Sequence, residues 1–157
     1  MEMWGHIPTK SEFIQLLMNR GCPAYIKKES INPLRAAEVI RKAGGKVVLA
    51  HPIAYVYDKG VLPENVVEVI DEIKPDGLET NYIHFDKQGV CRNESEKWGK
   101  VAKERDLFET IGSDFHRDNG YSPLVGFVNV QMEFGDEQIE NLLKRLLEEP
   151  KQSKVLE

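Results

Sequence analysis

Apolar residues recur with the period of a helix in five segments of the chain and form short continuous runs in four others. The helical segments are residues 10–20, 34–43, 63–73, 94–105 and the stretch that begins near residue 136. The short apolar or β-branched runs, which predict strands, are residues 46–50, 77–80, 107–111 and 124–132. Strands alternate with helices from residue 34 onward, so the pattern predicts an α/β fold with parallel strands and right-handed crossovers.

Residues that favour helix ends support these boundaries. Thr9 and Glu12 have the spacing of a capping box, and Asn32 followed by Pro33 suits an N-cap and a first helical position. We expect Asp136 to cap the last helix. Pro52 is expected to end the first strand, because proline cannot donate a backbone hydrogen bond to a neighbouring strand.

The composition excludes several classes of protein. The chain has 157 residues, with 21 lysines and arginines against 26 acidic residues and a net charge of −5, which argues against a duplex DNA binder. Two cysteines are too few for a disulfide scaffold. No apolar run approaches the roughly 20 residues of a membrane span, and the first residues are unlike a secretory signal. We therefore expect a cytoplasmic protein that does not bind a membrane.

Residues able to bind a metal follow three successive predicted strands. His51 comes directly after the first, Glu79 lies at the end of the second, and Asp114 and His116 follow the third. The carboxyl ends of neighbouring parallel strands meet at one edge of a sheet, so these side chains are expected to converge. Asp114 and His116 point the same way in an extended segment, and a carboxylate with an imidazole suits Mn, Fe or Zn. The role of Glu79 stays open between a metal ligand and a partner of a lysine or arginine at the end of the sheet.

Other polar residues near these strand ends have more ordinary interpretations. Arg92 and Arg117 are the cations that could hold a phosphate, although arginines in loops are usually just solvated. His84 is expected to lie solvated in a loop. Gly44 and Gly45 end a helix and precede a strand, which is the reverse of the order in a phosphate-binding P-loop.

Three motifs together carry a family resemblance. They are the run from Glu38 to Pro52 that ends in Ala50-His51-Pro52, the segment Asp76-Gly77-Leu78-Glu79, and Gly112-Ser113-Asp114-Phe115-His116. With these motifs the chain resembles the PHP (polymerase and histidinol phosphatase) family over most of residues 10–130. It is most similar to the subgroup of nucleoside 3′,5′-bisphosphate phosphatases and 5′-to-3′ exoribonucleases.

The resemblance implies a fold, a cofactor and roles for individual residues. It implies the C-terminal part of a distorted (β/α)₇ barrel, with residues 1–30 as a helical remnant of the family's insertion and residues 31–157 as half of the barrel. It implies divalent metal ions, up to three in the intact site, with His51, Asp114 and His116 as ligands. Asp114 and His116 then also count as catalytic, and Arg92 and Arg117 as substrate-binding. The implied substrates are phosphomonoesters of nucleotides or of short oligonucleotide ends.

One departure from the family bears on activity. Family members begin with a His-x-His strand and further ligands that have no counterpart in these 157 residues. We therefore expect a fragment that is poorly active alone, and a homodimer is one way to cover its exposed strand edges. Two other functions stay open: a non-catalytic α/β interaction module that keeps the motifs as relics, and a metal-dependent amidohydrolase.

Overall fold

The computed structural model describes residues 9–86, 88–115 and 135–148, and the chain divides into two compact units, Met1–Ile31 and Asn32–Glu157. In the first unit, helix α1 (Lys10–Phe13) continues as a π-helical turn over Ile14–Met18. The predicted capping box is confirmed, because Thr9 N–H donates to Glu12 Oε2 at 2.9 Å and Glu12 N–H donates to Thr9 Oγ1 at 3.3 Å. The predicted strand at residues 124–132 lies outside the described residues.

The second unit alternates helices and strands. Its described elements are α2 (Pro33–Lys42), β1 (Val48–Leu49), α3 (Pro52–Lys59), α4 (Pro63–Ile73), β2 (Gly77–Asn81), β3 (Ile83–Phe85), β4 (Cys91–Asn93), α5 (Ser95–Glu104), β5 (Phe108–Ile111) and α6 (Asp136–Leu147). Asn32 caps α2 as predicted, because its Oδ1 accepts a hydrogen bond from Leu34 N–H at 2.8 Å. Within the described ranges, no helix is both long enough and apolar enough to cross a bilayer.

The first three predicted strands form one parallel sheet in the order β1-β2-β5. Val48 pairs with Gly77, and Glu79 pairs with Thr110. The register shifts between Glu79 and Asn81, which is a local irregularity next to the end of β2. The prediction of parallel, adjacent strands is therefore confirmed, and it places the ends of β1, β2 and β5 at one edge. The described strands form no closed barrel.

Helices α3, α4 and α5 and the central strand share one hydrophobic core. Leu78 of β2 is 0% exposed and lies in a cluster of buried side chains from these helices. The other members are Ile53, Val66, Ile70, Trp98 and Ala102. Because side chains alternate across a strand, Glu79 points away from the face that Leu78 occupies. Glu79 therefore lies on the face of the sheet opposite the hydrophobic core.

Two predictions about the first strand are wrong. The buried strand expected at residues 46–50 is only the pair Val48–Leu49, and the Val48 side chain is 37% exposed. β1 lies at the edge of the sheet formed by the described strands, with β2 as its neighbour. Pro52 begins helix α3, which the sequence pattern did not predict. Proline is well suited to a first helical position, where its missing N–H costs nothing.

The segment after β2 also differs from the prediction. Ile83–Phe85 and Cys91–Asn93 pair as the antiparallel strands β3 and β4. His84 was expected to be solvated, but it lies in β3 and is 6% exposed. Its burial is stabilised by Asp58, whose Oδ1 lies 3.1 Å from His84 Nε2. A buried polar ring needs such a partner, so the histidine belongs to the packed structure.

The last helix begins one residue earlier than the predicted cap at Asp136 implied. Gly135 occupies the N-cap position, and its N–H donates to Gln138 Oε1 at 2.9 Å, so Asp136 is the first helical residue instead. Arg145 ties α6 to the turn before β5 through Asp106, with 2.8 Å between Nη1 and Oδ1. Leu143 and Leu147, predicted as part of an apolar stripe, are 54% and 88% exposed.

Replacing Leu78 by alanine should lower the free energy of unfolding by about 2–5 kcal/mol, because the change opens a cavity in the core between β2 and its helices. Leu62→Ala is the matched control, since the Leu62 side chain is 56% exposed and should cost about 0.5 kcal/mol or less. Chemical denaturation of the three proteins measures both values. Equal losses in the two variants would contradict the described core.

Candidate functional site at the carboxyl edge of the sheet

The carboxyl edge of the parallel sheet brings together residues from all three strands. His51 follows β1, Glu79 lies in β2, and Gly112 and Asp114 follow β5. Glu79 Oε2 accepts a hydrogen bond from the backbone N–H of His51 at 2.8 Å. On its other side, Glu79 Oε1 lies against Gly112, where a Cβ atom would collide with it. Glu79 therefore contacts the segments that leave both neighbouring strands.

Tyr82 links His51 and Asp114, two of the three residues predicted as metal ligands. Its ring centroid lies 5.3 Å from that of His51, and its hydroxyl is 3.5 Å from Asp114 Oδ2, a long hydrogen bond. His51 and Asp114 are thus at the same end of the sheet, as the strand order predicted. The sequence analysis missed Tyr82, because it ended the second strand at residue 80 and selected Glu79 there. The observed strand β2 extends to Asn81, so Tyr82 follows it directly.

Acidic side chains surround the Tyr82 hydroxyl. Burial raises the pKa of Tyr82 to about 12, and the negative charges of Asp114, Glu79 and Asp58 act in the same direction. Each carboxylate disfavours tyrosinate because like charges repel. The phenol therefore stays protonated at neutral pH. The same negative potential favours a cation at this edge of the sheet.

His51 and Asp114 share an unusual backbone conformation. Both have left-handed φ angles, 30° for His51 and 51° for Asp114, which residues other than glycine seldom adopt. Such conformations cost roughly 1–3 kcal/mol and cluster at functional sites. Their occurrence after β1 and β5, at the same edge of the sheet, is consistent with a functional role for this edge.

The described residues fit a metal ion in part. His51 Nδ1 is buried and has no hydrogen-bond partner among the described residues, as expected for an imidazole nitrogen that ligates a cation. The Asp114 carboxylate would add an oxygen ligand. Within the described ranges, however, no three His, Cys, Asp or Glu side chains are grouped so that they could hold a metal. His116 and Arg117, predicted as ligand and as phosphate binder, lie outside those ranges.

Four rings and one guanidinium form a continuous row, here called the ring row, from the sheet edge into the β3–β4 hairpin. In order, its members are His51, Tyr82, His84, Tyr57 and Arg92. The ring centroids of Tyr82 and His84 are 6.2 Å apart, and those of His84 and Tyr57 are 6.4 Å apart. The guanidinium carbon of Arg92 lies 4.9 Å from the Tyr57 centroid. Three rings, those of Tyr57, His84 and Tyr82, therefore lie between Arg92 and His51 in this row.

Asp86 fixes the guanidinium of Arg92. Both Nε and Nη2 of Arg92 donate to Asp86 Oδ2 at 3.0 Å. A hydrogen bond from the backbone N–H of Val90 is the largest cause that lowers the pKa of Asp86, and the hydrogen bond from Arg92 lowers it further. The carboxylate therefore remains ionised. The Arg92 side chain is still 39% exposed. It is held in place and accessible from solvent at the same time.

Comparisons with known proteins agree with the motifs. The chain is 28% identical over 123 residues to a 5′-3′ exoribonuclease of Haemophilus influenzae, a match that covers 76% of this chain and 42% of the relative. It is 27% identical over 118 residues to the 5′-3′ exoribonuclease Rnm of Salmonella typhimurium, covering 72% of this chain and 36% of the relative. The chain spans less than half the length of these curated relatives. No protein-family model matches it.

A solved structure shares the fold. A Bifidobacterium adolescentis protein, named as a metal-dependent phosphoesterase, superposes with a TM-score of 0.60 at 22% identity. The superposition covers 89% of this chain and 46% of that protein. The two relatives agree with the resemblance that the motifs carry, and the superposition shows a shared mixed α/β fold.

The raised pKa of Tyr82 predicts a pH dependence of stability. The pKa rises from an ordinary 10.0 to about 12 in the folded chain, so the folded state holds the phenolic proton more tightly than the unfolded state does. The resulting stabilisation is complete below pH 10 and is lost as the pH rises through 12. Between these values, the free energy of unfolding should fall more steeply for the wild type than for Tyr82→Phe. Parallel curves for the two proteins would contradict the raised pKa of Tyr82.

Proposed function

We propose that this chain is the C-terminal part of a PHP-type metal-dependent phosphoesterase with a distorted (β/α)₇ barrel. Its substrates would be phosphomonoesters of nucleotides or of short oligonucleotide ends. The observation that carries the proposal is the position of His51 and Asp114 on either side of Tyr82 at one edge of a parallel sheet. The exoribonuclease names of the relatives support the choice of a phosphate ester as substrate.

In this proposal His51, Asp114 and His116 hold a divalent cation. Imidazole and carboxylate ligands suit Mn, Fe or Zn. When bound, the ion would lower the pKa of a water molecule and neutralise phosphate oxygens. The buried and unpartnered Nδ1 of His51 is the group that such an ion would satisfy.

The protein's own residues prepare the site for a phosphate. Tyr82 keeps its proton, and its hydroxyl donates a hydrogen bond to Asp114, which restrains the carboxylate without neutralising it. Arg92 would receive a phosphate at the exposed part of its guanidinium, because Asp86 occupies Nε and Nη2. Arg117, three residues beyond Asp114, would be a second phosphate-binding cation.

One observation favours a second candidate function. Because the described residues contain no group of three metal-binding side chains, a non-catalytic interaction module that keeps these motifs is the alternative. Metal content separates the two. Protein purified without chelator should contain Mn, Fe or Zn if the phosphoesterase proposal holds, and it should contain and bind none if the alternative holds.

Replacing His51 by alanine should weaken metal binding by about tenfold or more, since it removes a ligand, and should leave most of the stability in metal-free buffer. The expected loss of unfolding free energy is below about 2 kcal/mol, because His51 lies at a strand exit and outside the hydrophobic core. His84→Ala serves as the contrast. It removes a buried, paired ring and should lower stability more while affecting metal affinity less. If His51→Ala unfolds the chain as readily as His84→Ala does, His51 is structural.

The isolated 157-residue chain should hydrolyse nucleoside 3′,5′-bisphosphates slowly, below about 1 s⁻¹ when loaded with Mn²⁺, because the described residues contain no group of three side chains that could hold the ion. Phosphate release measures the rate. Turnover of about 1–10³ s⁻¹ would contradict the expectation of poor activity.

The full gene product tests the reaction class, including the amidohydrolase alternative. Phosphomonoesters should be hydrolysed, and a matched panel of amides should not. Hydrolysis of the amides alone would overturn the phosphoesterase proposal.

A further inference from the structure

Glu79 occupies the middle of the candidate site, between the two strand exits that carry His51 and Asp114. It lies on β2, the central strand of the sheet, and its two carboxylate oxygens contact different neighbours. Oε2 accepts the backbone N–H of His51, and Oε1 lies against Gly112. A single side chain therefore touches the segments that leave β1 and β5.

On the β1 side, Glu79 holds a backbone that would otherwise be unfavourable. His51 has φ 30° and ψ 65°, a left-handed conformation that is strained for a histidine. Its N–H donates to Glu79 at 2.8 Å, and its carbonyl oxygen accepts from Ala54 N–H at 3.0 Å, in the first turn of α3. The backbone of His51 is thus held on both sides, and Glu79 supplies the long-range contact. The imidazole projects from this restrained backbone, and its ring centroid lies 5.3 Å from that of Tyr82.

On the β5 side, Gly112 makes room for the carboxylate. Its φ angle is not in the left-handed range, so the backbone there would accept an alanine. Among the described residues, the only atoms that a Cβ at this position would meet belong to Glu79. The lack of a side chain at Gly112 therefore leaves space for the carboxylate of Glu79. It is not required by a left-handed turn at this position.

From these contacts we infer that Glu79 is a positioning residue of the candidate site. It acts as a hydrogen-bond acceptor that fixes His51 relative to the exit of β5, with Gly112 as the position that admits its carboxylate. Glu79 is not itself a metal ligand in this role. The consequence for metal binding rests on the proposed function, whereas the effect on the backbone of His51 does not.

Three variants and one control test the inference. Glu79→Gln keeps an acceptor oxygen for the His51 N–H and removes the charge, and Glu79→Ala removes the acceptor. Gly112→Ala leaves Glu79 in place and should displace its carboxylate, at little cost to the fold because the displaced atoms are at the end of a flexible side chain. Glu96→Gln is the control for lost charge, because the Glu96 side chain is 86% exposed on α5.

The first measurement is the affinity for Mn²⁺ alone, from the electron paramagnetic resonance signal of the free ion. Glu79→Ala and Gly112→Ala should weaken binding about 10–100-fold, the usual effect of losing a group that orients a ligand. Glu79→Gln and the control should stay within about threefold of the wild type. Unchanged binding in Glu79→Ala, or an equal loss in Glu79→Gln, would overturn the inference; the second result would indicate direct ligation or a charge effect.

The second measurement is hydrogen exchange at the backbone amide of His51, which needs no metal. Protection should fall about tenfold in Glu79→Ala and Gly112→Ala and persist in Glu79→Gln. If the wild type binds no Mn²⁺, the proposed function fails, and this measurement alone decides the positioning role. Unchanged protection in Glu79→Ala would overturn it.

A double-mutant cycle separates the contact from a general loss of stability. Gly112→Ala should have little further effect on the His51 amide or on Mn²⁺ affinity when Glu79 is already alanine, because its effect acts through the carboxylate. Additive effects would contradict the proposed link between the two positions. If Glu79→Ala fails to fold, the comparison of Gly112→Ala with Glu79→Gln still tests the inference.

Discussion

Parallel pairing of β1, β2 and β5 is the constraint on which the candidate site depends. It brings three strand ends from distant parts of the chain to one edge, so that His51, Glu79 and Asp114 become neighbours. Alternation along β2 then separates two tasks: Leu78 faces the helices and is fully buried, and Glu79 faces the other way. The hydrophobic core and the candidate site thus lie on opposite faces of the same short strand.

Much of this arrangement was predictable, because it depends on local signals. Pro63 at a first helical position and Pro75 beyond the end set the limits of α4, and the predicted and observed ranges agree. Asn32 does the same for the start of α2. Parallel pairing follows from the alternation of helices and strands, and parallel strands in one sheet place His51 and Asp114 at the same edge. The residues named for the site itself remain predictions, including those outside the described ranges.

What the sequence analysis missed depends on contacts between distant residues. Pro52 suits both the end of a strand and the start of a helix, and the outcome depends on His51, whose backbone is held by Glu79. The burial of His84 depends on Asp58, which lies 26 residues earlier in the chain. Neither contact leaves a periodic pattern in the sequence. Local sequence propensity therefore could not predict the start of α3 or the burial of His84, because contacts between distant residues determine both.

The ring row changes how a substitution in the hairpin should be interpreted. Arg92 lies at one end of the ring row, where its guanidinium contacts the ring of Tyr57. His51 lies at the other end, with Tyr57, His84 and Tyr82 in between. Truncating Arg92 would remove a charge and also uncover the outermost aromatic ring. A kinetic defect in such a variant would therefore combine weaker attraction for an anion with a loosened scaffold, and the two contributions would have to be separated before either was assigned to substrate recognition.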